Sequence, residues 1–131
     1  KNERWIEVGW TSDPHSIIAA SDVFILPNRE TYFDLVLLEV ISLGVPVIMS
    51  RTGGNKYFEE FNTNIFWFYN EPEKVADILS EINDMAMTKD RAIPRKELKT
   101  LFEDEFDVSI FSARYIKQYR EILKCNSGRL K

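Results

Sequence analysis

The stretch that decides the fold runs Val23-Phe24-Ile25-Leu26-Pro27-Asn28-Arg29-Glu30-Thr31-Tyr32-Phe33-Asp34-Leu35-Val36-Leu37-Leu38-Glu39-Val40-Ile41-Ser42-Leu43-Gly44-Val45-Pro46-Val47-Ile48-Met49. It opens on an unbroken apolar run, 23–26, ended by Pro27. A run without polar alternation suits a strand covered on both faces. After a loop, 34–43 reads as a helix with Asp34 as N-cap and Gly44 as its C-terminal stop. Residues 45–49 form a second apolar run, with Pro46 tolerated near its start. Strand, loop, helix and strand in this order predict a parallel βαβ unit.

Upstream, 5–8 (Trp-Ile-Glu-Val) reads as a short strand ended by Gly9. Asp13-Pro14 then opens a short helix through Ala20, with Asp13 as cap and Pro14 at the first helical position. Downstream, Thr52-Gly53-Gly54 is a turn, followed by a short helix around 56–61. Residues 65–68 read as a fourth strand. Pro72 opens a helix to about Met85, with Val75, Ile78, Leu79 and Ile82 at helical spacing. Further helices are expected over 94–103 and 108–123. The last carries an apolar stripe of Ile110, Phe111, Tyr115, Ile116, Tyr119 and Leu123. The fold class is therefore α/β: a Rossmann-like parallel sheet with helices on both faces, in a single domain spanning 1–131. Its C-terminal part, about 71–124, is helical.

The 131 residues carry a net charge of −4, from 17 Lys and Arg against 21 Asp and Glu, so nothing points to nucleic acid as a partner. One cysteine, Cys125, and one histidine, His15, offer neither an intrachain disulfide nor a metal site. The sequence shows no signal peptide, and no apolar run approaches the ~20 residues of a membrane span. A cytoplasmic location is expected, with no cofactor. Because the first residue is Lys1 and a strand-like segment follows almost at once, we expect a piece of a longer chain, truncated at its N-terminal side.

Two loops carry the chemistry. In open α/β sheets ligands bind beyond the carboxyl ends of the strands, where the 27–34 loop and the glycine turn would both lie. The N-terminus of the helix beginning at Asp34 suits a phosphate or diphosphate. Gly53 and Gly54 let another backbone approach closely or adopt φ > 0. Glu39 is a lone carboxylate in an apolar helix; buried, it needs donors, for which ribose hydroxyls are suitable. The alternative is that Glu39 faces solvent on a polar stripe near Ser42. Spacing alone supports only a doubly wound domain with a phosphate site.

The sequence itself adds more. Residues 20–29, ASDVFILPNR, resemble the "AADVFVLPSR" segment of family-4 glycosyltransferases. Residues 33–46, FDLVLLEVISLGVP, resemble their "FGLVLLEAMAAGVP", and 47–55, VIMSRTGGN, their "VIASRTGGN". The final helix, with Phe111, Tyr115 and Tyr119, is similar to the family's closing helix. The resemblance covers most of the chain and is weak between about 71 and 105.

That resemblance implies the C-terminal, donor-binding domain of a metal-independent, retaining GT-B glycosyltransferase. Such a domain holds a nucleotide-diphosphate sugar as donor substrate, while a missing N-terminal domain holds the acceptor. Any peripheral association with the inner face of the membrane would run through that missing half. The family often builds cell-surface polysaccharide, including capsules. Its ribose-binding glutamate falls on Glu39. Its donor-sugar glutamate falls on Thr31, with Glu30 beside it, and its diphosphate-binding glycine on Asp34. A phosphate would be repelled by the Asp34 carboxylate, so either that side chain turns away and touches the sugar or the diphosphate binds differently. Thr31 would bond the sugar without the assistance of charge. The donor site is expected to include Trp10, Tyr32, Phe33, Asp34, Leu35, Glu39, Gly53, Gly54 and Asn55. Arg51 and Lys56 lie near enough in sequence to meet an anionic group, a solvated role being the alternative for Lys56. The catalytic residue is not assigned, and Thr31, Glu30 and Asp34 are the candidate sugar contacts. The family's cationic phosphate ligands lie upstream of this chain, so the chain alone is not expected to catalyse transfer. Two other readings remain open: a donor-binding module completed by a separate partner chain, and a non-catalytic interaction domain. Gene length separates the first of these from a truncated enzyme, and nucleotide titration tests the second.

Overall fold

The structure is a computed structural model that describes residues 4–61, 65–87 and 95–127. Its centre is a three-stranded parallel sheet in the order β1 (Phe24–Leu26), β2 (Val47–Ser50), β3 (Phe66–Tyr69). In register, Phe24 lies beside Val47 and Val47 beside Phe66. β2, the central strand, is buried at all four positions: apolar residues 47–49 suit that burial, and Ser50 is buried with them.

Alternation along β2 divides the core in two. Val47 and Met49 face a cluster with Leu37, Val40 and Ile41 of helix α2 (Leu35–Ser42), Phe58, Phe66 and Leu98. Ile48 faces the other side with Tyr69 and Ile82, the latter from helix α3 (Lys74–Met87). Helices therefore cover both faces, and the class is α/β with a Rossmann-like parallel sheet.

Local chemistry sets the element ends near the site. In helix α1 (Pro14–Ala19), the Asp13 side chain accepts a hydrogen bond from the Ser16 N–H at 3.1 Å. Hydrogen bonding by the Ser16 side chain, and next by its backbone N–H, holds the Asp13 carboxyl below its usual range. Helix α2 stops where Gly44 takes φ +72°. There the Gly44 N–H donates to Ile41 and the Val45 N–H to Val40, the paired bonds that close a helix on a left-handed residue.

Several expectations fail. Residues 5–8 form no strand, and Trp5, Ile6 and Val8 are exposed. The described residues thus hold three strands where four were expected. Apolar β-formers make a strand only when a neighbouring edge takes up their backbone groups. β1 is not covered on both faces: Ile25 is 38% exposed, because β1 lies at the edge of the sheet. The helix expected over 94–103 is α4 (Arg95–Leu101), followed by a π-helical turn, Phe102–Phe106, that turns Phe102 and Phe106 toward the core; Pro94 lies outside the described residues. Helix α5 (Val108–Ser127) forms where the periodicity places it, yet Phe111, Tyr115, Ile116, Tyr119 and Leu123 of its stripe are exposed.

Candidate functional site

The head of α2 follows the loop that leaves β1. Asp34 occupies the N-cap position with extended backbone, but its side chain makes no capping hydrogen bond. Instead its Oδ2 accepts from the Thr31 hydroxyl at 2.8 Å and from the Asn28 amide. The expected capping bond is therefore replaced by two bonds to side chains. A capping bond to the carboxylate would be charge-assisted as well, so the side-chain bonds prevail because the loop brings both donors to Oδ2. The first-turn amides of α2 receive no side-chain cap as a result. Thr31, expected to lack charge assistance, spends its hydroxyl proton on a carboxylate.

The glycine turn is pressed against the same loop. Gly53 has φ +47°, and a Cβ added there would sit 1.6 Å from the Thr31 carbonyl oxygen. At Gly54 it would sit 1.6 Å from that of Tyr32. The Gly54 N–H donates to the Thr31 carbonyl at 3.4 Å, and the Thr52 hydroxyl to that of Arg29 at 3.3 Å. The close approach anticipated for the glycines is thus an approach to protein backbone. It fixes the loop that carries Thr31 and Asp34.

Asn55 is not at a surface. It is fully buried, with its Nδ2 donating to the Ser50 carbonyl at 2.9 Å. It therefore supports the turn from within rather than lining a cleft. Phe33 is partly sequestered as well. Its ring lies 5.7 Å from that of Phe58, the centre of an aromatic cluster with Phe61, Phe66 and Phe106. Arg51 is committed: its guanidinium bonds both oxygens of Glu59 at 2.9 and 2.7 Å. The hydrogen bond raises the Arg51 pKa and lowers that of Glu59. Lys56 is exposed.

On the outer face of α2 stand Leu35 and Glu39, one turn apart and both exposed. The burial that would have forced Glu39 to seek donors is absent: its side chain is 48% exposed. Its Oε2 lies 3.5 Å from His15 Nε2 of α1, and the carboxylate remains open to solvent. Tyr32 and Trp10 are 98% and 90% exposed, and Glu30 is exposed too. The structure thus joins Thr31, Asp34, Gly53 and Gly54 in one unit at the head of α2, with Glu39 further along the helix. A separate groove lined by Phe61, Ile65, Lys96, Thr100, Leu101 and Asp104 contains none of these residues.

Sequence reasoning passed over two neighbours. Asn28 lies inside a quoted motif but was given no part; an amide at a strand's exit, six residues before an N-cap carboxylate, was the available signal. His15 has no part in the sequence reading beyond its lack of metal-ligand partners, and its approach to Glu39 depends on the packing of α1 against α2.

The fold and this loop-and-helix head define an α/β domain with a Rossmann-like parallel sheet. Residues 1–85, well over half of the chain, match the family model of Glycosyl transferases group 1, and the chain belongs to that family. It is 26% identical over 124 residues to the O-antigen biosynthesis glycosyltransferase WclY of Escherichia coli, covering 94% of this chain and 33% of WclY. It is 42% identical over 53 residues to the UDP-Gal:alpha-D-GlcNAc-diphosphoundecaprenol alpha-1,3-galactosyltransferase of Escherichia coli, covering 40% of this chain and 14% of that relative. The chain thus spans a third or less of the length of these relatives. Among the described residues no helix is long and apolar enough to cross a membrane.

Proposed function

We propose that this chain is the donor-binding domain of a retaining glycosyltransferase that takes its sugar from a nucleoside diphosphate and acts in cell-surface polysaccharide synthesis. The full protein would complete the cleft with an acceptor domain. One observation carries the reading: Glu39 stands exposed on α2, three to four residues from the Leu35 and Val36 amides, which have no side-chain cap. At 1.5 Å per residue those points lie about 4.5–6 Å apart along the axis, a span suited to a ribose joined to a diphosphate.

In this reading the amides of Leu35 and Val36 face the diphosphate. Their partial positive charge stabilises it most as it departs, which is when its charge grows. The Glu39 carboxylate accepts both ribose hydroxyls and gives up its contact with His15. Two exposed aromatic side chains, Tyr32 and Trp10, are available to cover the nucleotide. Arg51, held by Glu59, contributes no phosphate contact. Both relatives are glycosyltransferases. The name of one places it in O-antigen biosynthesis, and that of the other gives UDP-Gal as its donor, which favours a nucleotide hexose and a surface glycan.

The test is calorimetric titration of the full-length protein with UDP, GDP and their sugars, before and after Glu39→Ala. A hydrogen bond to a charged group contributes about 1.5–3 kcal/mol. Affinity for the bound nucleotide should therefore fall roughly 10- to 100-fold. Unchanged affinity in the variant, or a nucleotide seated away from α2 in a complex structure, overturns the reading.

A further inference from the structure

We infer that Asp34 selects the donor sugar: its carboxylate, held off α2 by Thr31 and Asn28, accepts a bond from a hydroxyl of a neutral sugar and repels an anionic one such as a uronic acid. The inference rests on the preceding reading, that the diphosphate lies at the head of α2. An aspartate at an N-cap ordinarily bonds the first-turn amides. Here both bonds to the carboxylate come from side chains, and both fall on Oδ2. Among the described residues Oδ1 has no partner, and no cation pairs with Asp34. Arg51, the cation of the adjoining turn, is bound to Glu59.

Two opposite demands therefore meet within one residue of chain. The uncapped amides favour an anion, while the fixed carboxylate disfavours one. A ligand satisfies both only if its phosphates lie over the amides and a neutral, hydroxyl-bearing part lies toward Oδ1. A sugar nucleotide has that division, provided the sugar has no charge of its own. A carboxylate on the sugar would approach a second carboxylate that its two donors prevent from turning aside. This is specificity by repulsion added to attraction. Thr31 acts through Asp34 and is a positioning residue.

The experiment compares matched donors on the full-length protein: UDP-glucose against UDP-glucuronic acid, and GDP-mannose against GDP-mannuronic acid, with UDP and GDP alone as references. We expect the neutral member of the pair carrying the preferred base to bind at least about tenfold tighter than the anionic one. Asp34→Asn keeps the shape and an oxygen acceptor for both donors but removes the charge. It should cut that preference by about tenfold, chiefly by admitting the uronic acid, with no loss of affinity for the nucleoside diphosphate. Thr31→Val, which removes one of the two bonds that hold the carboxylate and leaves the charge in place, should cut the preference in part. An Asp34→Asn protein with the wild-type preference, or a wild-type protein with none, overturns the inference. If UDP or GDP binds and Glu39→Ala weakens it while Asp34→Asn changes nothing, only this inference falls. If neither nucleotide binds the wild-type protein, the underlying reading falls with it.

Discussion

Replacing Gly54 with alanine drives a methyl group into the backbone that presents Thr31 and Asp34. The new Cβ would lie 1.6 Å from the Tyr32 carbonyl oxygen, 2.6 Å from its carbon and 3.0 Å from the Phe33 Cα. All three are backbone atoms, so no side chain can swing away. To reach even 3.0 Å the carbonyl must retreat by 1.4 Å. Its retreat is opposed by the packing of Phe33 on Phe58 and by the Thr52 bond to Arg29. Overpacking of this kind costs about 1–3 kcal/mol. With a urea m-value of about 2 kcal/mol/M, the denaturation midpoint should fall by about 0.5–1.5 M. Gly53→Ala meets the same 1.6 Å contact and also holds alanine at φ +47°. It should therefore cost about 1 kcal/mol more. Loop displacement should also weaken nucleotide binding in the full-length protein, since misplacement by ~1 Å is costly at a site. Urea denaturation and nucleotide titration of both variants check this. A Gly54→Ala protein with a wild-type midpoint and wild-type affinity would refute the claim that these glycines position the loop.

Phe58→Ala removes the fully buried ring at the centre of the aromatic cluster. It should cost about 3–5 kcal/mol in chemical denaturation, a large share of a domain's usual stability; a loss under 1 kcal/mol would show the cluster to be loosely packed. Asp13, Glu59 and Asp107 all have carboxyl pKa values lowered by hydrogen bonds, from Ser16, Arg51 and Ser109. A lowered folded pKa stabilises the fold above the unfolded value of about 4, and that contribution is lost as pH falls through the folded value. The melting temperature should therefore decline on acidification below about pH 4, and less steeply in Asp13→Asn. A melting temperature that rises between pH 5 and pH 3 would contradict the assignment.

The sequence and the structure agree where one segment's own chemistry decides the outcome. Asp13 caps α1, Gly44 ends α2, and the apolar run 45–49 supplies the first three residues of the buried strand β2, because a cap, a left-handed residue and an apolar run are properties of a few neighbouring residues. Disagreement begins wherever two segments compete or must meet. Residues 5–8 have strand character, but strand character does not supply a neighbouring edge. The stripe of α5 has helical periodicity, but periodicity does not say that a partner covers it.

The candidate site divides along the same line. Its place in the fold, at the head of the helix between two parallel strands, is written in the order of motifs from Val23 to Asn55. The sequence alone also shows that Gly53 and Gly54 allow a close backbone approach or φ > 0. Only the tertiary structure decides that this neighbour is the backbone of Thr31 and Tyr32, that Asn55 is buried, and that Arg51 belongs to Glu59. The same is true of the Asp34 carboxylate, taken by Thr31 and Asn28 rather than by α2. A capping bond and a side-chain bond draw on one pair of carboxylate oxygens, and which prevails depends on where the loop brings its donors in space.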